Sequence, residues 1–160
     1  MPSKLFNYKS RSSFTTVTWR FCESTEIDPA IKPKGKVQIN GPEEVFSVWR
    51  FLFDNQVRER FAVLWLNASN RANGYEVISE GSLCGTVVEP REVFRSAIVG
   101  TAASIILMHN HPSGNPDPSN EDKMITRQLV EGGKIMKIPI HDHIIFAGNK
   151  YTSFAERGLL

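Results

Sequence analysis

Residues 41–160 are predicted to fold as a single α/β domain, of the mixed α+β kind, built around one sheet. Three observations lead there. Short apolar runs such as "RFAVLWLN" and "SIILMHNH" have the length and β-branched content of strands buried on both faces. Two segments, "GPEEVFSVW" and "PREVFRSAIVG", open with proline and glutamate, as helices do. The strands and helices follow one another without the regular alternation of a doubly wound fold.

Taken in order, residues 1–13 are polar and basic, and "TTVTWRF" alternates Val17, Trp19 and Phe21 with Thr16, Thr18 and Arg20, the pattern of a half-buried strand. "CESTEIDPAIKPKGK" reads as loop. In "GPEEVFSVWRFLFDNQ", Pro42 fits the first helical turn and Val45, Trp49 and Leu52 share a face. "RFAVLWLN" is followed by a turn through Ala68, Ser69 and Asn70, then by a strand "GYEVISEG" and a short strand "GTVV". After the helix beginning at Pro90 come "SIILMHNH", a helix "SNEDKMITRQLVEGGKIM" expected to fray at Gly132-Gly133, and a closing hairpin of "IPIHDHIIF" and "YTSFAE" around Gly148-Asn149.

A chain of 160 residues is long enough to bury a core without staples. Its two cysteines, Cys22 and Cys84, are too few for a disulfide framework or a four-cysteine zinc knot. No apolar run reaches the roughly 20 residues of a membrane helix, and "MPSKLFNYKSRSS" lacks the apolar core of a secretory signal. The expectation is a cytoplasmic protein with no membrane partner. Charge is uneven. Residues 1–40 form a basic extension with 7 Lys/Arg against 3 Asp/Glu, while residues 41–160 carry 12 against 14. Such an arm is read first as a solvated tail and second as a contact for nucleic acid.

Chemistry concentrates in "LMHNHPSGNPDPSNED", residues 107–122. Side chains at i and i+2 on a strand share a face, so His109 and His111 at the end of an apolar strand can present two imidazoles to one point. Pro112, Pro116 and Pro118 restrict the loop that follows, Gly114 permits a bend, and a helix starting at Ser119 brings Asp122 back. Two imidazoles and a carboxylate with a fourth position left open is the arrangement of catalytic zinc. The plainer reading is a proline-rich turn with a capped helix, because Ser119-x-x-Asp122 is also a Ser-x-x-acid start. The two are compatible: a carboxylate in a first helical turn can still face a cation. No His-Glu-x-x-His helix is present, and no Cys-x-x-Cys follows to suggest a zinc deaminase. The ligand types would also suit non-haem iron.

His109-x-His111-Pro112, with Ser119 seven residues beyond the proline and Asp122 three further, resembles the JAMM (MPN+) metalloprotease motif. "HNHPSG", preceded by "EPREVF" and followed by "DHIIF" and "YTSFAERGLL", looks like the version of that domain in the RadC family. The resemblance spans about residues 41–160. It implies a curved mixed sheet flanked by helices, with the metal where a strand meets a helix N-terminus. It implies that His109, His111 and Asp122 bind zinc, that Ser119 hydrogen-bonds the oxyanion of a tetrahedral intermediate, and that an upstream glutamate handles the proton. In JAMM proteins this glutamate lies two residues before an apolar strand, which points to Glu59, with Glu76 and Glu80 as rivals. The second His-x-His, His141-Asp142-His143, has no third ligand at suitable spacing. Asp142 and His143 are read as making structural hydrogen bonds or supporting the metal ligands from behind.

The function so implied is hydrolysis of a peptide or isopeptide bond in a protein or peptide substrate. The second reading is a nucleic-acid-binding protein of repair or mobile-element systems, with a metal-dependent nuclease as one form of it. Full-length RadC proteins carry a helix-hairpin-helix region associated with DNA binding, and residues 1–40 are too short and polar to supply one. The metal site transfers well from the resemblance and the substrate does not. Loops 23–41 and 81–90 are where specificity is expected.

Overall fold

A computed structural model describes residues 37–81 and 88–160 of the chain. The expected strand at residues 15–21, the basic extension before residue 37 and most of the "GTVV" segment lie outside the described residues. Two helices begin as the proline and acidic residues predicted. Helix α1 runs Pro42–Trp49 and passes into a 3-10 turn over Arg50–Leu52, and α2 runs Pro90–Val99. Strands β1 (Arg60–Leu66), β2 (Ala72–Glu80), β3 (Ser104–Asn110), β4 (Ile140–Ala147) and β5 (Lys150–Ser153) form one sheet in the order β2-β1-β3-β4-β5. The sheet is mixed: β3 and β4 are parallel, and the other neighbours are antiparallel. Helix α3, Asn120–Met136, makes the crossover that the parallel pair requires.

The period of two along the strands splits the core into two layers. Ala62, Leu64 and Leu66 of β1, with Ile106 and Met108 of β3, pack against Val45 and Trp49 of α1. Phe61, Val63 and Trp65, with Ile105 and Leu107, face Val93 and Ala97 of α2 and Leu129 of α3. Leu64, Leu107 and Leu129 are completely enclosed, and each such side chain contributes about 1.5–3 kcal/mol over leaving it in water. By the same alternation His109 points into the α2/α3 layer.

Helix α3 does not fray at its glycines. It continues three residues past Gly133 to Met136, then ends at Lys137 in the left-handed region. Both glycines are there for close approach. A Cβ on Gly132 would lie 2.7 Å from the Phe94 ring, and one on Gly133 would lie 2.6 Å from the Ile138 carbonyl oxygen. Packing overrides the low helix propensity of glycine. At the hairpin, Gly148 adopts φ +60°, so β4 turns into β5 across Gly148 and Asn149 as expected. Among the described residues no helix is long and apolar enough to cross a membrane.

Candidate metal centre

The centre forms where β3 ends and α3 begins. Near the end of β3, His109 pairs with Phe61 on one side and with Ile145 on the other, and Asn110 then pairs with Phe146. The pairing with β4 extends one step further, because the His111 N–H donates to the Phe146 carbonyl at 2.8 Å. This holds His111 in line with His109. The chain then bends through Gly114, at φ +76°, and enters α3 at Ser119.

Ser119 and Asp122 form a full capping box. The Asp122 N–H donates to Ser119 Oγ at 3.0 Å, and the Ser119 N–H and hydroxyl donate to Asp122 Oδ2 at 2.8 and 2.7 Å. The plain reading of this motif is therefore present in the structure. It also serves the other reading: with Oδ2 held by Ser119, Oδ1 faces His109 Nε2 at 3.1 Å. One nitrogen from each of His109 and His111 and one Asp122 oxygen all lie within 4.8 Å of one another. His109 is buried, and His111 and Asp122 are mostly covered.

The hydrogen bonds show what kind of group this cluster suits. His111 Nδ1 lies 2.8 Å from the Asn115 carbonyl oxygen, which can only accept, so that nitrogen carries the proton and a neutral His111 offers a bare Nε2. The two Nε2 atoms are 3.0 Å apart beside a carboxylate. Three lone-pair donors in such proximity repel unless a cation or a proton sits among them, so the donor set fits a metal ion of the kind that accepts nitrogen and oxygen ligands. The electrostatics agree. The Asp122 carboxylate raises the His111 imidazole above its ordinary value against the opposing effect of burial, with the Asn115 carbonyl and the charge of Glu59 adding to it. Burial alone would push the Asp122 carboxyl up, but the two histidines and Ser119 together hold it well below the usual carboxylate range.

A cavity of about 120 Å³ opens onto this cluster, lined by Glu59, Phe61, Val88, His109, Glu121 and Asp122. Glu59 is half-buried immediately before β1. Its rivals are engaged elsewhere: Arg95 Nη2 meets Glu76 Oε1 at 2.7 Å, and Arg60 Nε meets Glu80 Oε2 at 2.9 Å. Neither Glu76 nor Glu80 lines the cavity. A larger cleft of about 440 Å³ lies on the other side, where His111 and Pro112 share it with Arg50, Asp54, Gln56 and Asn149.

The second His-x-His does not join the cluster. His143 is wholly enclosed behind His109, its Nε2 2.8 Å from His109 Nδ1 and its Nδ1 2.6 Å from Thr126 Oγ1. Desolvation, reinforced by the neighbouring His109, lowers its pKa well below the ordinary imidazole value, so it is neutral. Asp142 accepts from the His143 and Ala155 N–H groups and from the Ser153 hydroxyl, fastening β5 and the segment after it to β4. Thr126 and Asn110 were not singled out as functional by their sequence context. Thr126 carries a weak signal, as the one buried hydroxyl on the α3 stripe with Leu129 and Gly133.

Comparison with known proteins adds the following. A family model described as RadC-like JAB domain matches residues 39–159. The chain is 50% identical over 125 residues to a UPF0758 protein of Salinibacter ruber, covering 78% of this chain and 54% of that protein. It is 44% identical over 129 residues to a UPF0758 protein of Methanosarcina mazei, covering 81% and 56%. A UPF0758 protein of Pelobacter propionicus is 46% identical over 123 residues, covering 77% and 54%. The chain thus spans little more than half the length of these relatives.

Proposed function

From the premise that this chain belongs to the RadC-like JAB domain family, we propose that it is a zinc-dependent hydrolase that cuts a peptide or isopeptide bond. The observation that carries this reading is the convergence of His109, His111 and Asp122 at the mouth of a cavity that Glu59 also lines. His109 Nε2, His111 Nε2 and Asp122 Oδ1 would hold the ion and leave its remaining position open to the cavity. Bound zinc supplies a Lewis acid that polarises a carbonyl and brings the pKa of water down to about 7.

The protein's own groups do the rest. Glu59 takes a proton from the attacking water and returns it to the leaving amine, which a half-buried carboxylate lining the same cavity as His109 and Asp122 is suited to do. Ser119 turns its hydroxyl from Asp122 to the oxyanion as negative charge develops there. The cavity on the Glu59 side and the cleft on the His111 side flank the cluster, an arrangement that suits an extended substrate crossing it. The nucleic-acid reading rests on the basic residues before position 37, outside the described residues. It predicts binding that weakens steeply with salt.

The test is elemental analysis of protein prepared without added metal, beside Asp122→Ala, followed by peptide and isopeptide screening with Glu59→Gln. The expected result is about one zinc per chain in the parent, little in Asp122→Ala, and zinc retained in Glu59→Gln with hydrolysis reduced about 10²–10⁴-fold. No zinc uptake by the parent, even when zinc is supplied, would sink the proposal.

A further inference from the structure

We infer that Thr126 and His143 are positioning residues that decide which nitrogen of His109 faces the metal. The inference rests on the metal reading above, and it follows from the direction of three consecutive hydrogen bonds.

The first bond fixes the others. Thr126 Oγ1 lies 2.5 Å from the main-chain carbonyl oxygen of Asp122, one helical turn earlier. A carbonyl oxygen has no hydrogen to give, so the single proton of the threonine hydroxyl points at it. Thr126 Oγ1 then has only lone pairs to offer His143 Nδ1 at 2.6 Å, and the proton in that contact belongs to the nitrogen. A neutral imidazole with its proton on Nδ1 has a bare Nε2. That Nε2 is 2.8 Å from His109 Nδ1, which must therefore be the donor. His109 is left with a bare Nε2, the atom that lies 3.0 Å from His111 Nε2 and 3.1 Å from Asp122 Oδ1. The relay starts on the backbone of one ligand residue and ends on the side chain of another.

What sets this relay apart is its middle member. A ligating histidine commonly donates its second ring nitrogen to a carboxylate, a main-chain carbonyl or a water. Carboxylates and carbonyls accept only, so they fix the tautomer unaided. A neutral imidazole has two tautomers and fixes nothing until something chooses for it. Thr126 makes that choice. Were His143 to carry its proton on Nε2, it would donate to His109 Nδ1, and a neutral His109 would carry its own proton on Nε2, where the metal belongs. The ring of His143 is also held in place, nearly stacked on Phe154 at 4.7 Å and edge-on to Phe61 at 5.6 Å. His111 takes its tautomer from Asn115 instead, so it stands outside the relay.

The test uses the full chain, labelled with ¹⁵N-histidine, as wild type, Thr126→Val and Thr126→Ser. Long-range ¹H–¹⁵N spectra report which ring nitrogen carries each proton, and competition with a chromophoric chelator reports zinc affinity. Wild type is expected to show Nδ1 protons on His109, His111 and His143. Thr126→Ser, which keeps the hydroxyl, should bind zinc within about threefold of wild type, while Thr126→Val should lose about tenfold to a hundredfold. In Thr126→Val the His143 proton should shift toward Nε2, while His111 should keep its proton on Nδ1, where the Asn115 carbonyl accepts it. A folded Thr126→Val with wild-type zinc affinity and an unmoved His143 proton overturns the relay and leaves the metal reading standing. Should Thr126→Val fail to fold, the wild-type spectrum decides alone, since a proton on His143 Nε2 overturns the inference. Absence of zinc uptake by wild type removes the metal reading and the relay's purpose with it.

Discussion

Asn110 holds the backbone of Arg60: its Oδ1 accepts the Arg60 N–H at 2.7 Å, while its Nδ2 donates to the Arg58 carbonyl at 3.1 Å. The residue between those two anchor points is Glu59. Asn110 stands between the two candidate metal-site histidines in sequence, and it ties the proposed proton acceptor to the end of β3. Asn110→Ala should leave about one zinc per chain but lower turnover roughly tenfold to a hundredfold, the scale of a small misplacement at a reacting centre. Metal analysis beside kcat separates the two effects. Equal losses of metal and turnover would count against a clamp on Glu59.

Ser119 serves two purposes in this account, and they have different sizes. Ser119→Ala removes the cap of α3, which should cost about 1 kcal/mol of stability in the metal-free protein, read by urea unfolding. If the hydroxyl also steadies the oxyanion, kcat should drop about 10²–10³-fold, far beyond any change in zinc affinity. A drop in stability with unchanged kcat would confine Ser119 to its cap.

Asp142 gives a pH dependence separate from the candidate metal ligands. Burial, the strongest influence, raises its carboxyl above the ordinary 3.8 despite donors from Ser153, Ala155 and His143. The folded state then holds a proton that the unfolded chain has released, so stability should decline as pH rises from about 3.8 through the raised value. Each unit of elevation corresponds to about 1.4 kcal/mol. Asp142→Asn keeps an oxygen for the two N–H donors and can donate to Ser153. Its stability between about pH 4 and pH 7 should fall less steeply than that of wild type. Parallel slopes for the two proteins would rule out Asp142 as the source.

Gly133→Ala should destabilise by about 1–3 kcal/mol through overpacking, although alanine ordinarily favours a helix interior by about 1 kcal/mol. The Ile138 carbonyl oxygen, 2.6 Å from where the Cβ would sit, reverses the sign. Thermal or urea unfolding checks this directly, and a gain in stability would show that the turn after α3 yields easily.

The parts of the molecule that could be read from sequence are those written locally. Pro42 and Pro90 start helices, Ser119-x-x-Asp122 caps one, and His109 and His111 share a face because strands alternate. Each of these needs only a few neighbouring residues. Thr126 and Asn110 depend on which strands lie side by side and on how α3 lies across them, and no short window encodes that; His143 drew notice through its His-x-His spacing, and only its partners had to wait for the fold. The glycines of α3 show the same limit from the other direction: local propensity argues for fraying, and contacts with Phe94 and Ile138 decide otherwise. Among the glutamates, Glu59, Glu76 and Glu80 look alike in sequence. The pairing of the latter two with Arg95 and Arg60 appears only in three dimensions.

Residues 154–159 reach the metal centre from two sides. Phe154 is wholly buried with its ring on His143, and Arg157 Nη1 meets Asp117 Oδ1 at 3.0 Å on the loop between His111 and Ser119. The exposed ion pair is worth little by itself, whereas losing a buried phenylalanine ring costs about 3–5 kcal/mol. Removing the residues after Ser153 would therefore act on the candidate metal centre at a distance. It would strip the wall from His143 and free the loop before Ser119 without touching His109, His111 or Asp122, so damage at this tail is expected to register as weaker metal binding.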